Sequence, residues 1–237
     1  MNIQPVISII IVTYNAEGTL QKCLTSVFNQ KYPSLRIIII DGLSTDGTID
    51  IITANLNKIY YWKSERDTGV YDAMNKALKE ITGDWVYFLG ADDELYDDFS
   101  KLAYELDDKS AIYYANVLSR GVKCSGKLSP YQMAKHGIFH QAIIYPASVF
   151  TKYTFDTRYK IVGDNALNMK CWKDKTIKFI YKDYIIAHFN HTGVSGREKD
   201  IEFEKDKSRL ILESYGVVVW FRYFIRTLKR KNFFTNG

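Results

Sequence analysis

Four runs of apolar, largely β-branched or aromatic residues lie at 6–12, 35–40, 59–62 and 85–89, separated by stretches whose apolar residues repeat with a helical period. A run without alternation has no polar face, so a strand built from it must be covered on both sides. Between the first two, Leu20, Cys23, Leu24, Val27 and Phe28 follow the spacing of one helix face. Residues 48–55 read as a short helix, and Tyr71, Met74, Ala77, Leu78 and Ile81 make the next helical stripe. This alternation predicts an α/β chain with a doubly wound, mostly parallel sheet. Ligands of such sheets bind beyond the carboxyl ends of the strands.

The polar residues fall where that rule puts a ligand. Thr13-Tyr14-Asn15 follows the first run, Asp41-Gly42 and 43–48 the second, Glu65-Arg66-Asp67 the third, and Asp92-Asp93 the fourth. Each has a plain alternative: a turn before a helix, an N-cap, a solvated acidic loop. Their convergence on one edge is harder to explain as packing. Adjacent carboxylates repel, and a cation or hydrogen-bond donors relieve that repulsion. No Gly-x-Gly-x-x-Gly follows the first run and no Gly-Lys-Ser/Thr loop occurs, which disfavours dinucleotide oxidoreductases and P-loop enzymes.

Composition narrows the class. The chain has 237 residues and a formal charge of +5, with Arg222, Arg226, Lys229, Arg230 and Lys231 gathered near its end. That imbalance is too mild for a nucleic-acid reading. Cys23, Cys124 and Cys171 are odd in number and widely spaced, which points to reduced thiols in a cytoplasmic protein. No stretch approaches the roughly 20 apolar residues that span a bilayer. Residues 217–228 interleave Val, Trp, Phe, Ile and Leu with arginines, a pattern suited either to an anionic membrane interface or to packing on the body or a second subunit. The charged stretch 198–207 reads as a solvated helix face.

Residues 8–15, then 26–30, 41–48 and 64–77, and finally Gly90-Ala91-Asp92-Asp93, together resemble the opening of family 2 glycosyltransferases of GT-A fold, in particular the bacterial surface-polysaccharide members. The resemblance implies a Rossmann-like nucleotide-binding half at 1–95 and a smaller, mixed acceptor-side half at 96–215. Those would form one catalytic domain, followed by C-terminal helices and a basic tail at 216–237. It implies that Thr13 and Tyr14 line the base pocket, the Tyr14 ring offering a stacking face. Asp41 and Asp67 would accept hydrogen bonds from base or ribose, and Asn15, Glu17 and Asn75 would join the nucleotide-sugar site. Asp92 would face the ribose or a metal, and Asp93 would ligate Mn²⁺ or Mg²⁺ against the diphosphate. Gly42 stands where some members have a second acid.

In the second half residues 111–117 read as a strand. His140-Gln141 interrupts an apolar run and is either a donor-sugar contact or a hydrogen-bonded core pair. Asp164 is either a helix N-cap or, by resemblance, the general base that takes the acceptor's proton. Gly163 replaces the usual acid beside it. His188 and His191 flank an apolar strand end that leads into a polar, Gly-rich loop, and His191 is a candidate to complete a metal shell. Together these readings describe an inverting, metal-dependent transfer from a nucleoside diphosphate sugar, with UDP the first candidate, to a glycan or lipid-linked hydroxyl. The setting would be cytoplasmic, with peripheral contact at the inner membrane face or association with another copy as options for the tail. The polymerase Gln/Arg-x-x-Arg-Trp motif is absent, which favours single addition. A sugar-nucleotide pyrophosphorylase and a non-catalytic GT-A subunit are the competing readings.

Overall fold

A computed structural model describes residues 4–190 and 199–234, with side chains as far as residue 228. The four runs form β1 (Ile7–Thr13), β2 (Leu35–Asp41), β3 (Tyr61–Ser64) and β4 (Trp85–Gly90). Between them lie α1 (Leu20–Phe28), α2 (Thr48–Ala54) and α3 (Val70–Ala77). Ile7, Ile9, Ile10 and Ile11 are all sealed from solvent, as a run with no polar face requires. The expected face of α1 is the buried one: Leu20, Cys23, Leu24 and Val27.

Two boundaries differ from expectation. β3 begins at Tyr61 rather than at residue 59, because a 3-10 turn over Leu56–Lys58 occupies the approach and delivers Ile59 at its end. The stripe from Tyr71 to Ile81 is helical only to Ala77. It tightens into a 3-10 turn at Leu78–Glu80, and Ile81 is extended, which lets the chain enter β4 with Asp84 N and Trp85 N on the carbonyl of Val6.

The second half adds β5 (Glu94–Leu95), α4 (Asp98–Ala103), β6 (Ala111–Ser119), β7 (Val122–Cys124), α5 (Pro130–His136), β8 (Ile143–Pro146), α6 (Val149–Lys152), α7 (Gly163–Lys173), β9 (Lys178–Phe189) and α8 (Ile201–Phe234). One nine-stranded sheet runs through both halves in the order β3-β2-β1-β4-β8-β6-β9-β5, with β7 on β6. The β1–β2, β2–β3, β1–β4 and β6–β9 pairs are parallel, whereas β8 runs antiparallel to both β4 and β6.

These directions decide where the polar ends go. The carboxyl ends of β1 to β4 share one edge, with Val12 beside Gly90, Thr13 beside Asp41 and Asp41 beside Ser64. Because β8 is reversed, its amino end reaches the same edge, and so does the carboxyl end of β9. The chain runs outward from β1 through β2 to β3, then crosses back to place β4 on the other side of β1. That reversal opens a crevice between the ends of β1 and β4, the usual ligand position in such sheets.

Helix α8 is broken at Gly216, whose φ of 82° and ψ of 174° are not helical. The part before it sends Phe203, Leu210 and Ile211 into a second core cluster with Tyr159, Ala166 and Met169. The remaining residues of that first part that were expected to be solvated are largely so. Beyond the break, Val219, Trp220 and Tyr223 pack on the same cluster, so the packing reading of the tail holds for one of its faces. Val217, Val218, Phe221, Phe224, Ile225 and Leu228 point away from the body and stay exposed. No helix among the described residues is long and apolar enough to cross a membrane. Cys23 and Cys171 are buried free thiols and Cys124 is a partly buried one.

Candidate active site

The loops after β1 and β2 are laced together by backbone N–H groups and short polar side chains. Asn15 N donates to Ser44 Oγ (2.8 Å), Ala16 N to Thr48 Oγ1 (2.7 Å) and Glu17 N to Asp46 Oδ2 (3.1 Å). In return Thr45 N donates to Asn15 Oδ1 (2.9 Å) and Gly47 N to Glu17 Oε2 (2.8 Å). Asn15 holds a φ of 48°, a conformation that Asn tolerates better than most residues. Asn15 and Glu17, expected at the nucleotide sugar, therefore have defined work as loop staples.

Asp41 is fully buried. Its carboxylate accepts from Ser44 N (3.0 Å), Ser44 Oγ and Ser64 Oγ (2.6 Å), which ties β3 and the β2 loop to one anchor. It is enclosed by these donors rather than turned outward toward the base or ribose contact expected of it. Thr13 is also buried, and its Oγ1 has no partner among the described residues. Tyr14 is 64 % exposed and presents a bare aromatic face at the crevice. Gly42 lies between Tyr14 and Asp67: a Cβ there would come within 2.7 Å of Asp67 Oδ2 and 3.4 Å of the Tyr14 ring. That crowding explains the glycine at this position. Asp67 Oδ1 accepts from Gly69 N (2.8 Å). A stacking face beside a carboxylate acceptor thus sits at the ends of β1 and β3.

The acidic pair after β4 is divided. Asp93 is 1 % exposed, with Oδ2 accepting from Gln141 Nε2 (2.5 Å) and Oδ1 from Asn190 N (2.8 Å). Burial pushes its carboxyl above the usual range, opposed by the His140 charge and by the Asn190 N–H. Asp92 keeps partial exposure at the turn. Asp93, expected at the metal, is thus enclosed behind the turn, whereas Asp92, expected at the ribose or the metal, lies on its partly exposed side. Among the described residues no three His, Cys, Asp or Glu side chains form a metal-holding group. A one- or two-carboxylate site is nonetheless the kind that Mg²⁺ uses when substrate phosphates complete its shell. His191 lies outside the described residues. His188 sits opposite Glu94 in the β5–β9 ladder.

His140 and Gln141 form a 3-10 turn leading into β8. Gln141 is buried. Besides holding Asp93 it accepts Tyr87 Oη on its carbonyl (2.7 Å), and its Oε1 has no partner among the described residues. His140 Nδ1 stands 3.7 Å from Asp164 Oδ2. The imidazole thus lies between two acids, Asp93 and Asp164, and its charge opposes the burial-driven rise of both. Asp164 is the second residue of α7. Val162 holds the N-cap position, so the N-cap alternative for Asp164 is not the one realised. Its Oδ1 accepts from Asn165 N (2.8 Å) and from Tyr71 Oη (3.0 Å), leaving Oδ2 on the His140 side.

Asn75 does not reach this group. Its amide is spent on the backbone of Phe155, donating to the carbonyl (2.9 Å) and accepting from the N–H (3.0 Å). A half-buried amide with both ends occupied is a staple between the halves of the fold. Two partners went unread in the sequence: Tyr71, which sits in an apolar stripe, and the backbone of Asn190. A tyrosine at a buried stripe position is itself a signal, since its hydroxyl needs a partner.

The sequence profile described as Glycosyl transferase family 2 matches residues 8–170. A PGL/p-HBAD biosynthesis glycosyltransferase of Mycobacterium bovis (strain BCG / Pasteur 1173P2) is 33 % identical over 213 residues, covering 85 % of this chain and 83 % of that one. The chain belongs to glycosyl transferase family 2, and it is a glycosyltransferase. Among solved structures it resembles S. aureus TarS 1–349 in complex with UDP-GlcNAc, with a TM-score of 0.70, 19 % identity and coverage of 88 % of this chain and 67 % of that one. It also resembles the mannosyltransferase PcManGT from Pyrobaculum calidifontis in complex with GDP-Man and Mn2+, with a TM-score of 0.64, 16 % identity and coverage of 95 % and 65 %. These likenesses establish the GT-A fold.

The division of the acidic pair gives an expected outcome. Should Mn²⁺ raise UDP affinity through this acidic pair, Asp92→Asn is expected to remove that gain, read by calorimetry. Asp93→Ala strands the buried Gln141 amide, costing about 1–3 kcal/mol, and the half-buried Asn190 N–H, and lowers the thermal midpoint by several degrees. Retention of the Mn²⁺ effect in Asp92→Asn contradicts the assignment.

Proposed function

We propose that the chain transfers a sugar, with inversion, from a nucleoside diphosphate sugar to a hydroxyl of a cell-surface glycan or its lipid-linked precursor. The observation that carries this reading is the convergence on one sheet edge of Tyr14, Asp67, Asp92, His140 and Asp164. The PGL/p-HBAD name of the mycobacterial relative supports the biosynthetic setting. The nucleotide sugars in the two structural neighbours support the donor class, and UDP is the first candidate. Asp67, beside the Tyr14 ring, offers the acceptor that an imide N–H needs.

In this reading the base stacks on Tyr14 and the diphosphate lies over the β1–β4 crevice. Asp92, braced by Asp93, would hold Mn²⁺ or Mg²⁺, and a cation there supplies charge neutralisation to the departing diphosphate. Mn2+ in the PcManGT complex supports that assignment. The acceptor oxygen attacks the anomeric carbon, the bond from that carbon to the phosphate oxygen breaks, and its electron pair leaves with the nucleoside diphosphate. The acceptor's proton passes to Asp164 Oδ2, the carboxylate oxygen left on the His140 side. A single displacement of this kind inverts the anomeric centre.

Asp164→Asn keeps the shape and removes the base. Release of UDP from the best of UDP-glucose, UDP-galactose and UDP-GlcNAc, with Mn²⁺ and water as acceptor, should fall at least about 100-fold while UDP affinity holds. Turnover within a few-fold of wild type contradicts the base assignment. Failure of every donor in the panel contradicts the catalytic reading as a whole.

The tail completes the picture of the acceptor. Val217, Val218, Phe221, Phe224, Ile225 and Leu228 follow one helical stripe, each more than 35 % exposed. Residues 217–237 carry five basic residues and no acidic one. An exposed apolar stripe flanked by arginines matches a helix lying in an anionic interface, where a lipid-linked acceptor would be met. Phe221→Glu together with Val218→Glu should release the protein from phosphatidylglycerol vesicles in co-sedimentation. Undiminished sedimentation contradicts membrane contact through this face.

A further inference from the structure

The carboxylate that serves as base in the proposed reaction is held by an element from the other half of the fold. Tyr71 lies in the first turn of α3, 5 % exposed, with its ring stacked on Phe155 at 5.2 Å between centroids. One turn later Asn75 fixes the backbone of that same Phe155. The ring is thus clamped before its hydroxyl is considered. The hydroxyl crosses to the start of α7 and stands 3.0 Å from Asp164 Oδ1 and 2.8 Å from the carbonyl of Ile161. A Cβ on Gly163 would lie 2.9 Å from the Tyr71 ring carbons Cδ2 and Cε2. The residue beside the acid is therefore glycine because the tyrosine ring occupies the space of a side chain.

We propose that Tyr71 is the positioning residue of Asp164, turning one carboxylate oxygen inward so that the other faces the reacting hydroxyl, and that Gly163 is the complement that lets the ring reach it. This rests on Asp164 being the base. A phenol carries one proton and here meets two acceptors. While Asp164 is ionised the proton goes to the carboxylate, since hydrogen bonds to a charged partner are the stronger ones. Once Asp164 has taken the acceptor's proton on Oδ2, Oδ1 is still an acceptor, so the hydroxyl keeps that bond or turns its proton to the Ile161 carbonyl. One side chain thereby suits both states of the acid without moving its ring.

Electrostatics agree in direction. Burial raises the Asp164 carboxyl above its usual range, while the His140 charge, the Asn165 N–H and the Tyr71 hydroxyl all oppose that rise. The groups facing Asp164 are Tyr71 from α3, His140 from the turn before β8 and, more remotely, Tyr145 of β8, whose hydroxyl is committed to Asn168 (2.8 Å). Removing the Tyr71 hydroxyl leaves burial less opposed and raises the carboxyl further. The base works only when ionised, so the acid limb of turnover moves to higher pH.

The test compares Tyr71→Phe, Gly163→Ala and Asp164→Asn in UDP release from the best UDP-sugar of the panel, across pH. Tyr71→Phe should lower kcat about tenfold at neutral pH, hold the donor KM within about twofold, and move the acid limb up by about one pH unit. Gly163→Ala, which keeps the hydroxyl but pushes the ring that carries it off Asp164, should move the limb in the same direction. Carboxyl-labelled aspartate NMR, with the Asp164 signal assigned by its loss in Asp164→Asn, reads the same rise without substrate. An unmoved limb and signal in Tyr71→Phe, with Asp164→Asn inactive, overturns the positioning role and leaves the base standing. An active Asp164→Asn overturns the base, and the positioning role with it.

Discussion

Everything in this molecule depends on the parallel pairing of β1 with β2 and β4. A parallel sheet with both faces covered has no room for polar side chains along its strands, and the isoleucines of β1 are sealed accordingly. Polar chemistry is confined to the strand ends, and parallel directions bring those ends to one edge. Reversal of β8 and the parallel return of β9 add His140, Gln141 and the Asn190 backbone to that edge. The site is therefore a consequence of strand direction before it is a consequence of any single residue.

The edge divides its acids between structural and chemical work. Asp41 and Asp93 are buried and saturated with donors, one lacing the loops of β2 and β3, the other joining β4 to β8 and β9. A buried carboxylate is tolerable only with such donors, and removing one leaves the others stranded. Asp67 and Asp92 are less enclosed and stand beside the crevice, whereas Asp164, at the start of α7, is largely buried with one carboxylate oxygen held by donors and the other on the His140 side. Tyr71 and Asn75, one turn apart on α3, pin the second half of the chain against the first through Phe155 and Asp164.

Much of this was legible in the chain. The four central strands and their helices follow from uninterrupted apolar runs and the 3.6-residue period, and the strand-end positions of Tyr14, Asp67, Asp92 and Asp93 follow from topology. What could not be read was which of two neighbouring acids turns inward. Asp92 and Asp93 are identical as residues, and only the approach of Gln141 from some fifty positions away distinguishes them. Asn75 is likewise decided by a partner 80 residues distant. Gly42 and Gly163 looked like departures from a family pattern. In the structure they are the spaces that Asp67 and Tyr71 fill. The start of β3 was displaced because a three-residue 3-10 turn leaves no periodic signal.

The central claim is that a nucleoside diphosphate sits across the β1–β4 crevice with its base on Tyr14 and its phosphates toward Asp92. A crystal of the protein soaked with UDP and Mn²⁺ tests this directly. The account predicts the uracil ring against Tyr14 within reach of Asp67, with the metal peak on Asp92. Nucleotide density elsewhere, or a metal peak remote from both acids after β4, contradicts it.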